Sequence, residues 1–384
     1  MKALWLASWY PSKNDLLTGD FFQRHARAAA LHVDVHVLHI KRDNSIQGTI
    51  DRTYSQQNER LYETIVLYKP PLYKVWGIST LFSAIIWFKL MKKEINQWML
   101  QNGRPDIIHV KAAWKAGLMA RRCKTKYGIP YFVSEQYTGY FKEAGGLVPT
   151  FNFVQHYFLR KIFQGADKVL PVSDYLGKAL KERYGVDYTV LDNVINTSIF
   201  RPIDESYCNT IFTLLHVSLL NLQKNPDILF QAIRLLVEQS FSFRLHLVAP
   251  KDMAETYLHK YPETRPFIIL LPETGQEELV KPMQEADLLL FPSAFESFGL
   301  VAFEAIACGT PVLLSRIEVF TNKLSGKEYV SFCQPNNAES LAASIIDMHK
   351  KGLKFNKNGM HQFVDASFSE QAIGRRFLEL YRAD

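Results

Sequence analysis

The sequence contains few cysteines, and they follow neither a metal-binding nor a disulfide pattern. Only four occur in 384 residues, namely Cys123, Cys208, Cys308 and Cys333, and no pair has C-x-x-C spacing. Structural zinc sites need closely spaced ligand pairs, and small secreted domains carry a denser set of cysteines. We therefore expect a protein of a reducing compartment, the cytoplasm, with no structural zinc.

The sequence also lacks a candidate transmembrane segment, a leader peptide and the common nucleotide-binding motifs. The longest apolar run, near Val75–Phe88, is shorter than the roughly 20 residues that span a bilayer. The apolar start at Ala3–Tyr10 leads directly into a polar loop, which is typical of a buried strand and not of a signal peptide. Neither a P-loop nor a G-x-G-x-x-G motif occurs, which disfavours ATPases and dehydrogenases.

What the sequence does have is an excess of positive charge. Lysine and arginine outnumber aspartate and glutamate by seven, 45 against 38, and the isoelectric point is about 9.0. This balance suits an anionic partner such as a nucleotide diphosphate, a phosphorylated lipid or a membrane surface, although solvated lysines without a partner give the same balance. No nucleic-acid-binding motif occurs and the charge is not concentrated, so we expect no nucleic acid partner.

Two clusters of special residues each have more than one interpretation. The aromatic and basic segment Tyr68–Met99 suits an interfacial helix on an anionic membrane. It also suits a mostly buried helix with a basic end, which we favour. His32, His36 and His39 could suggest a metal site, but strand alternation puts His39 on the opposite face from the other two. We therefore expect structural or surface histidines there.

Strand-like and helix-like segments alternate along the chain, which predicts parallel sheets built from βα units. The alternation breaks at the polar segment Leu191–Asn209, where we place a linker between two α/β domains. The predicted strands are Ala3–Ser8, Val33–Ile40, Asp106–Val110, Tyr131–Ser134 and Lys168–Val172 before the linker, and Phe212–Val217, Arg244–Val248, Ile268–Leu271, Leu288–Phe291 and Pro311–Leu314 after it. A helix is predicted near the end, at Phe368–Arg382.

The most informative segment is Pro292–Val312, which follows the predicted strand Leu288–Phe291. Glu296 lies in the loop at the carboxyl end of that strand, where open α/β sheets bind ligands. Glu304 lies inside a predicted helix among apolar neighbours, where an unpaired carboxylate is costly and needs a partner. The spacing of the two glutamates alone also arises by chance, and Glu304 could serve a salt bridge of the helix.

The helix that carries Glu304 is predicted to begin near Gly299. The backbone amides of Phe298, Gly299 and Leu300 would then form its N-terminus. Unpaired N–H groups and the helix dipole favour phosphate oxygens at such a position. The segment thus combines two carboxylates with an anion site.

These residues resemble the signature of glycosyltransferase family 4, retaining enzymes of the GT-B fold. The family's pattern of a Glu, seven residues and a second Glu around Phe-Gly-Leu, closed by a Gly-x-Pro-Val turn, is present in Phe295–Val312. Further landmarks follow in order along essentially the full chain: Ser8-Trp9-Tyr10-Pro11, Gly19-Asp20-Phe21-Phe22, Val172–Leu176, Asn193–Phe200, His216–Asn225 and the closing helix from Phe368 to Tyr381.

The resemblance implies an α/β protein of the GT-B fold with two Rossmann-like domains facing a cleft. Residues 1–195 would form the acceptor-side domain and residues 196–367 the nucleotide-sugar-binding domain, with a terminal helix at about 368–384 crossing back to the first. The implied activity is transfer of a sugar from a UDP- or GDP-linked donor to a glycan or lipid-linked acceptor with retention. The acceptor would attack on the face from which the diphosphate departs, with no fixed protein nucleophile.

No cofactor is expected beyond the nucleotide-sugar substrate. The chain contains no Asp-x-Asp pair, the usual metal anchor of the other large glycosyltransferase fold, so we predict no catalytic metal. The implied context is the synthesis of cell-surface polysaccharide, such as capsule or lipopolysaccharide, in the cytoplasm or peripherally at the inner membrane. Donor, acceptor and linkage depend on loops without a motif, such as Gly139–Thr150 and Lys251–Arg265.

The resemblance also implies roles for single residues. Lys224 would neutralise the donor diphosphate as it leaves. Glu304 would bind the ribose hydroxyls, and Glu296 would hold the transferred sugar and stabilise positive charge at its anomeric carbon. Gly19 would let the backbone approach the donor without a side chain in the way, and Ser218 belongs to the donor loop.

Three positions depart from the family's pattern. Leu219 stands where an arginine usually accompanies the lysine, so the diphosphate would meet one cation fewer unless Arg316 or another basic residue substitutes. Gln136 stands where a histidine usually lies near the sugar, and it can hydrogen-bond a sugar hydroxyl but cannot carry a proton. Val248–Lys251 replaces a Gly-x-Gly-Pro turn.

These departures leave a second hypothesis open, a non-catalytic GT-B subunit that binds nucleotide or glycan for another transferase. The intact block around Glu296 and Glu304 favours the enzyme. A nucleotide-sugar epimerase, which shares the fold, is not supported by the donor signature.

Overall fold

A computed structural model describes residues 1–71, 78–145, 151–203, 210–352 and 354–382. The chain divides into two compact units. The first comprises Met1–Tyr137, Phe151–Val194 and Glu370–Asp384, and the second comprises Thr138–Thr150 and Ile195–Ser369. The first unit is therefore assembled from three separate stretches of sequence.

The first unit is built on a mostly parallel sheet. Its elements up to the linker are β1 (Lys2–Ala7), α1 (Asp20–Ala30), β2 (Asp34–Arg42), β3 (Ile50–Asn58), β4 (Leu61–Tyr68), α2 (Ile78–Asn102), β5 (Ile107–Lys111), α3 (Ala116–Tyr127), β6 (Tyr131–Glu135), α4 (Phe153–Gly165), β7 (Lys168–Pro171) and α5 (Asp174–Tyr184). The strands lie in the order β3-β4-β2-β1-β5-β6-β7. Among the described strands of this sheet, only β3 runs antiparallel to its neighbour.

The second unit is built on a fully parallel six-stranded sheet within the described residues. Its main elements are β8 (Thr213–Val217), α6 (Pro226–Glu238), β9 (Arg244–Val248), α7 (Lys251–Lys260), β10 (Ile268–Leu271), α8 (Gln276–Glu285), β11 (Leu288–Phe291), α9 (Leu300–Ala307), β12 (Val312–Ser315), α10 (Glu318–Leu324), β13 (Val330–Cys333), α11 (Ala338–Lys351) and α12 (Lys357–Phe368). The order β10-β9-β8-β11-β12-β13 reverses direction between β8 and β11.

One sequence interpretation is wrong. We treat the segment Lys251–Arg265 above as a loop, but α7 and a 3₁₀ helix at Pro262–Phe267 occupy it. The helix predicted at Phe368–Arg382 is confirmed as α13 (Glu370–Arg382), which begins two residues later because α12 ends at Phe368 and Ser369 separates the two helices.

The helix α13 packs on the core of the first unit. Its residues Ile373, Phe377 and Tyr381 are buried there against α1 and the sheet. The Tyr381 hydroxyl accepts a hydrogen bond from Trp5 Nε1 at 3.1 Å and also bonds the Nδ1 of His109. A chain of polar contacts therefore runs through the apolar core beneath this helix.

Lys111 lies at the end of that chain and is completely buried. Its Nζ lies 3.6 Å from the centroid of the Trp5 ring and 4.7 Å from that of Phe377. It donates to the Ser134 hydroxyl at 3.4 Å, and no described carboxylate pairs with it. Burial lowers the pKa of this amine well below its usual value.

The helix α2 fills one face of the same sheet. Trp87, Leu90 and Trp98 are buried, and Trp87 Nε1 donates to the carbonyl oxygen of Ile40 at 2.9 Å. Lys89, Lys92 and Lys93 are exposed. The described part of α2 therefore buries one side and exposes another, so the interpretation as a mostly buried helix with a basic end is not confirmed, and Lys74 and Trp76 lie outside the described residues.

The described cysteines are buried free thiols. They are Cys123, Cys308 and Cys333, and Cys208 lies outside the described residues. Burial raises the pKa of Cys123 and of Cys333 to about 11. No helix within the described ranges is long and apolar enough to cross a membrane.

Candidate functional site

The candidate residues of the second unit gather where its strand order reverses. The strands β8 and β11 are parallel neighbours, with Leu288 opposite Leu214, so their following loops leave from the same edge of the sheet. Lys224 comes from the loop after β8 and Glu296 from the loop after β11. In open parallel sheets such a switch point leaves a crevice for a ligand.

Lys224 and Glu296 form an ion pair, with 2.5 Å between Nζ and Oε1. Their side chains are 19% and 5% exposed, so the pair is largely screened from water. Gln223 Nε2 lies 3.3 Å from the second oxygen of Glu296 and 3.2 Å from the carbonyl oxygen of Phe295. The sequence predicts both charged residues for the site, and the structure brings them into direct contact.

Local structure places Lys224 at this position. Asn221 caps a short 3₁₀ turn, Leu222–Lys224, by accepting the amide of Lys224 at 3.2 Å. Asn225 then adopts a left-handed conformation with φ of 57°, and Pro226 begins α6. A proline suits the first position of a helix because its missing N–H is not needed there.

His216, which the sequence analysis does not single out, orders the start of the same loop. Its Nδ1 lies 2.9 Å from the carbonyl oxygen of Leu290, so Nδ1 carries the hydrogen and Nε2 accepts one from the Ser218 hydroxyl at 2.8 Å. Burial lowers the pKa of His216 to about 4, which keeps the ring neutral. Its signal in the sequence is a polar residue inside the apolar strand Thr-Leu-Leu-His-Val.

Ser218 is therefore committed to the loop itself. Besides donating to His216, its Oγ accepts the amide of Leu220 at 3.0 Å, and Leu220 has a left-handed φ of 52°. Leu219, which stands where the family usually has an arginine, is 52% exposed, so this position supplies no cation to the loop. Contact of Ser218 with a ligand stays a prediction.

The helix α9 begins as the sequence predicts. Gly299 has a φ of 86°, and a Cβ atom there would lie 2.4 Å from the Phe320 ring, so only glycine fits this turn. No side chain caps the helix, and the amides of its first turn, from Leu300 onward, lack a side-chain acceptor. Phe298 is buried and its ring lies 4.7 Å from that of Phe303, so only its backbone is available to a ligand.

Glu304 lies in the second turn of α9 and is only 3% exposed. The residues beside it in the helix, from Ala302 to Ala307, are buried and apolar. Burial and the nearby Glu304 charge raise the pKa of the Cys308 thiol. The predicted buried carboxylate in an apolar helix is therefore present, and its ribose-binding role stays a prediction.

Two predicted site residues belong to the first unit and are described by themselves. Gly19 starts α1 with a φ of 81°, and a Cβ atom there would lie 2.6 Å from the backbone of Trp9 and Tyr10. The glycine is thus required by packing within its own unit. Gln136 exchanges two hydrogen bonds with Asn193, at 2.6 and 3.0 Å, and each amide keeps a further donor or acceptor. A role of either residue toward a substrate stays a prediction.

Glu135, next to Gln136, is a buried residue that the sequence analysis does not single out. Its carboxylate accepts the backbone amides of Ala113, Gln136 and Tyr137 at 2.9, 2.9 and 3.0 Å. The three bonds fix the turn after β6 and the position of Gln136.

The other candidates of the second unit are a turn and an arginine. Val248 is followed by only Ala249 and Pro250 before α7 begins, so the turn after β9 is short. The Arg316 guanidinium lies 5.1 Å from the centroid of the Phe332 ring.

Within the part of the chain that the structure describes, no three His, Cys, Asp or Glu side chains form a metal-binding group. His36 bonds Thr64 at 2.8 Å and His39 bonds the carbonyl oxygen of Ala7 at 2.9 Å.

Two family models match the chain. The model described as Glycosyltransferase Family 4 matches residues 23–199, and the model described as Glycosyl transferases group 1 matches residues 209–362. An uncharacterized glycosyltransferase of Methanocaldococcus jannaschii is 26% identical over 330 residues, which cover 82% of this chain and 84% of that protein.

Solved structures share the architecture. Sucrose-phosphate synthase from Thermosynechococcus elongatus has a TM-score of 0.75 at 17% identity, with 100% of this chain and 99% of that chain covered. Anabaena HepE, solved in complex with UDP-glucose, has a TM-score of 0.72 at 15% identity, with 100% of both chains covered. Sequence identities this low show that the fold is shared, and they do not show which substrates this chain uses.

Proposed function

This chain belongs to the group 1 and family 4 glycosyltransferases and has their GT-B fold, and from that premise we propose that it transfers a sugar with retention from a nucleotide diphosphate donor to a glycan or lipid-linked acceptor. The general activity, that of a nucleotide-sugar-dependent transferase, is the family's. The donor site, the acceptor class and the cellular context are our proposals.

The observation that carries the proposed donor site is the Lys224–Glu296 pair at the switch point of the second sheet. When a glycosyl bond to a diphosphate breaks, negative charge grows on the phosphate and positive charge on the sugar. A fixed cation and a fixed carboxylate side by side match that separation of charge, and few water molecules reach them to weaken it.

We assign the remaining groups of the site by the same chemistry. Lys224 and the uncapped amides at the start of α9 stabilise the departing diphosphate. Glu296 stabilises the anomeric carbon, and Glu304 accepts hydrogen bonds from the ribose hydroxyls. With Lys224 and these amides stabilising the charge of the diphosphate, we propose that catalysis needs no metal ion, and that the donor carries uridine or guanosine.

The proposed setting is the assembly of cell-surface polysaccharide, with the protein at the cytoplasmic face of the membrane. An acceptor attached to a lipid carrier is found at that surface, and an excess of seven positive charges suits an anionic membrane. Gln136 is our candidate for a contact with the transferred sugar or the acceptor.

The donor site is tested by calorimetry with UDP, GDP, ADP and their common sugars, in the presence of EDTA. We expect one nucleotide to bind with micromolar affinity and to raise the melting temperature at about millimolar concentration. Glu304→Ala should weaken that nucleotide at least about 30-fold, since it loses charge-assisted hydrogen bonds. Glu296→Ala should keep nucleotide affinity and lower the rate of transfer about 100-fold or more.

The matched control is Glu263→Ala, which removes an exposed carboxylate of the same unit away from these loops. It should change neither nucleotide affinity nor transfer. Equal nucleotide affinity in the wild type and in Glu304→Ala would disprove the ribose assignment.

A second candidate function is a non-catalytic partner subunit that binds nucleotide or glycan. The exposed Leu219, in place of a second cation beside Lys224, favours it. A clear nucleotide signal without hydrolysis or transfer over a broad panel of acceptors would select this alternative. Binding of no nucleotide would count against the transferase and would leave a glycan-binding subunit as the leading candidate.

A further inference from the structure

Three neighbouring helices of the first unit, α2, α3 and α4, form a layer with a very uneven charge. Their sequences contain one carboxylate, Glu94, which is buried and bonded to Arg52 at 3.0 Å. The exposed cations of the layer are Lys89, Lys92, Lys93, Arg121, Arg122, Lys126, Arg160 and Lys161. The described outer surface of the three helices therefore carries positive charge and no negative side chain.

The topology places the beginnings of these helices at one end of the layer. They follow β4, β5 and β6, which run in the same direction in the sheet. Helices that follow parallel strands also run parallel to one another, and α3 contacts both α2 and α4. The first turns of α2 and α4 thus lie at the same edge of the unit.

Exposed apolar side chains concentrate at that edge. In α4, Phe153 is 86% exposed, Val154 58%, Tyr157 54% and Phe158 38%. Leu159, Ile162 and Phe163 of the same helix are buried on its other side. A helix on the surface of a water-soluble domain normally turns polar residues outward, so apolar residues on both sides require a second apolar environment.

The start of α4 is capped despite this exposure. Asn152 and Gln155 form a capping box, each side chain accepting the other's backbone amide at 2.9 Å. The exposed rings therefore lie on a helix whose first turn is stabilised by its own side chains. On α2, Phe82 and Ile85 lie near the first turns and are also exposed, at 41% and 43%.

A groove with cationic edges runs between α2 and α3. It is lined by Phe88, Leu118 and Met119 together with Lys92 and Arg122. The adjoining part of the groove adds Lys126. Apolar carbon beside ammonium and guanidinium groups is complementary to the upper acyl chain and phosphate of an anionic phospholipid.

We propose that the α2–α3–α4 layer is the surface by which this protein docks on an anionic phospholipid bilayer. Phe153, Val154, Tyr157 and Phe158 enter the headgroup region, while Lys92, Arg122 and Lys126 bind lipid phosphates. The inference deepens the proposed function, because it assigns the membrane contact to named residues. A nucleic acid would explain the cations but not a cluster of aliphatic and aromatic side chains at one edge of the layer.

Vesicle co-sedimentation of the purified full chain, without nucleotide or sugar, tests this inference. Vesicles of phosphatidylcholine alone are compared with vesicles that contain about one third phosphatidylglycerol. The wild type should partition onto the anionic vesicles only, and binding should fall as salt is raised. Because no donor is present, the result does not depend on whether the donor site is assigned correctly.

Two sets of substitutions separate the apolar and the charged contributions. Phe153→Ser with Tyr157→Ser should lower the partition coefficient about tenfold or more. Lys92→Gln, Arg122→Gln and Lys126→Gln together should also lower it at least about tenfold, since each cation near an anionic surface contributes roughly fivefold. All of these side chains are exposed or at a groove, so the fold should be unaffected.

Matched controls remove the same chemistry elsewhere. Tyr54→Ser with Ile269→Ser removes two other exposed apolar side chains, and Lys281→Gln, Lys350→Gln and Lys354→Gln removes three other cations. Both controls should partition as the wild type does. The proposal is overturned if the wild type does not bind anionic vesicles at low salt, if the controls fall as far as the test variants, or if the protein binds a mixed-sequence oligonucleotide and no vesicle.

Discussion

Lys224 in the second unit and Lys111 in the first unit lie in opposite environments. In the second unit Lys224 has a carboxylate partner, Glu296, and keeps 19% of its side-chain surface exposed. In the first unit Lys111 is fully buried, with aromatic rings around its Nζ and the Ser134 hydroxyl as a distant acceptor at 3.4 Å.

The two environments predict different effects of removing the amine. Glu296 forms an ion pair with Lys224 at the edge of a sheet, where we propose that the donor diphosphate binds. Burial lowers the pKa of Lys111, whose long side chain fills the core beneath α13. We therefore expect that the second unit needs the charge of Lys224 and that the first unit uses Lys111 mainly for its length.

The largest effect is expected from removing the charge of Lys224. Lys224→Met should lower the rate of sugar transfer about 100-fold, because the leaving diphosphate loses its cation. It should also lower the free energy of unfolding by about 3 kcal/mol, because Glu296 is left buried without its cationic partner and, among the described residues, keeps only the hydrogen bond from Gln223. Initial rates and urea unfolding measure the two effects.

The double variant Lys224→Met with Glu296→Met separates stability from chemistry. Replacing both members of a buried pair by apolar side chains is often neutral for stability, so most of the lost unfolding free energy should return. Transfer should not return. Recovery of transfer in the double variant would contradict the role that we propose for the pair.

At Lys111 the expected effect has the opposite sign. Lys111→Met should raise the free energy of unfolding by about 2 kcal/mol at neutral pH, because the native state no longer buries an amine that the unfolded chain would protonate. The wild type should regain stability as the pH rises toward the ordinary lysine pKa of 10.5, so the gap between the two proteins should narrow. A destabilised Lys111→Met protein with a constant gap from neutral to alkaline pH would show that the amine is charged in the core.

The smallest effect concerns His216, the neutral ring beside the loop of Lys224. Its pKa is lowered from 6.5 to about 4, so the unfolded chain takes up a proton at pH values at which the folded chain does not. The free energy of unfolding should therefore fall below pH 6.5, by about 1 kcal/mol for this residue down to pH 5.5. In His216→Gln that share of the pH dependence should be absent, and an unchanged slope in urea titrations at several pH values would refute the assignment.

The fold was largely predictable because most of its strands are short apolar runs followed by polar loops. The strand at Leu288–Phe291 is correct to the residue. The hairpin of β3 and β4 was not predicted, because β3, with the sequence IDRTYSQQN, is an exposed polar edge strand that lacks apolar alternation. Lys111 was missed for a related reason, since a lysine after an apolar run reads as the end of a strand and not as part of the core.

The site was predictable as a set of residues and not as an arrangement. Resemblance indicated Lys224, Glu296 and Glu304, but the ion pair depends on two loops that are 72 residues apart in sequence. His216 and Gln223 support these loops through contacts that no local pattern encodes. Gln136 was expected to face a substrate, and its exchange of hydrogen bonds with Asn193 depends on a partner 57 residues away.

The position of α13 in the chain has a consequence for the order of events during synthesis. Residues 370–382 leave the ribosome after the whole second unit, yet Phe377 and Tyr381 complete the core of the first. Until α13 has been synthesised, the rings and polar groups around His109 and Lys111 are not covered by Phe377 and Tyr381. The core of the first unit therefore stays incomplete during synthesis, while the second unit can already fold. A ribosome stalled before residue 370 would leave the uncovered apolar surface of the first unit accessible to chaperones and proteases.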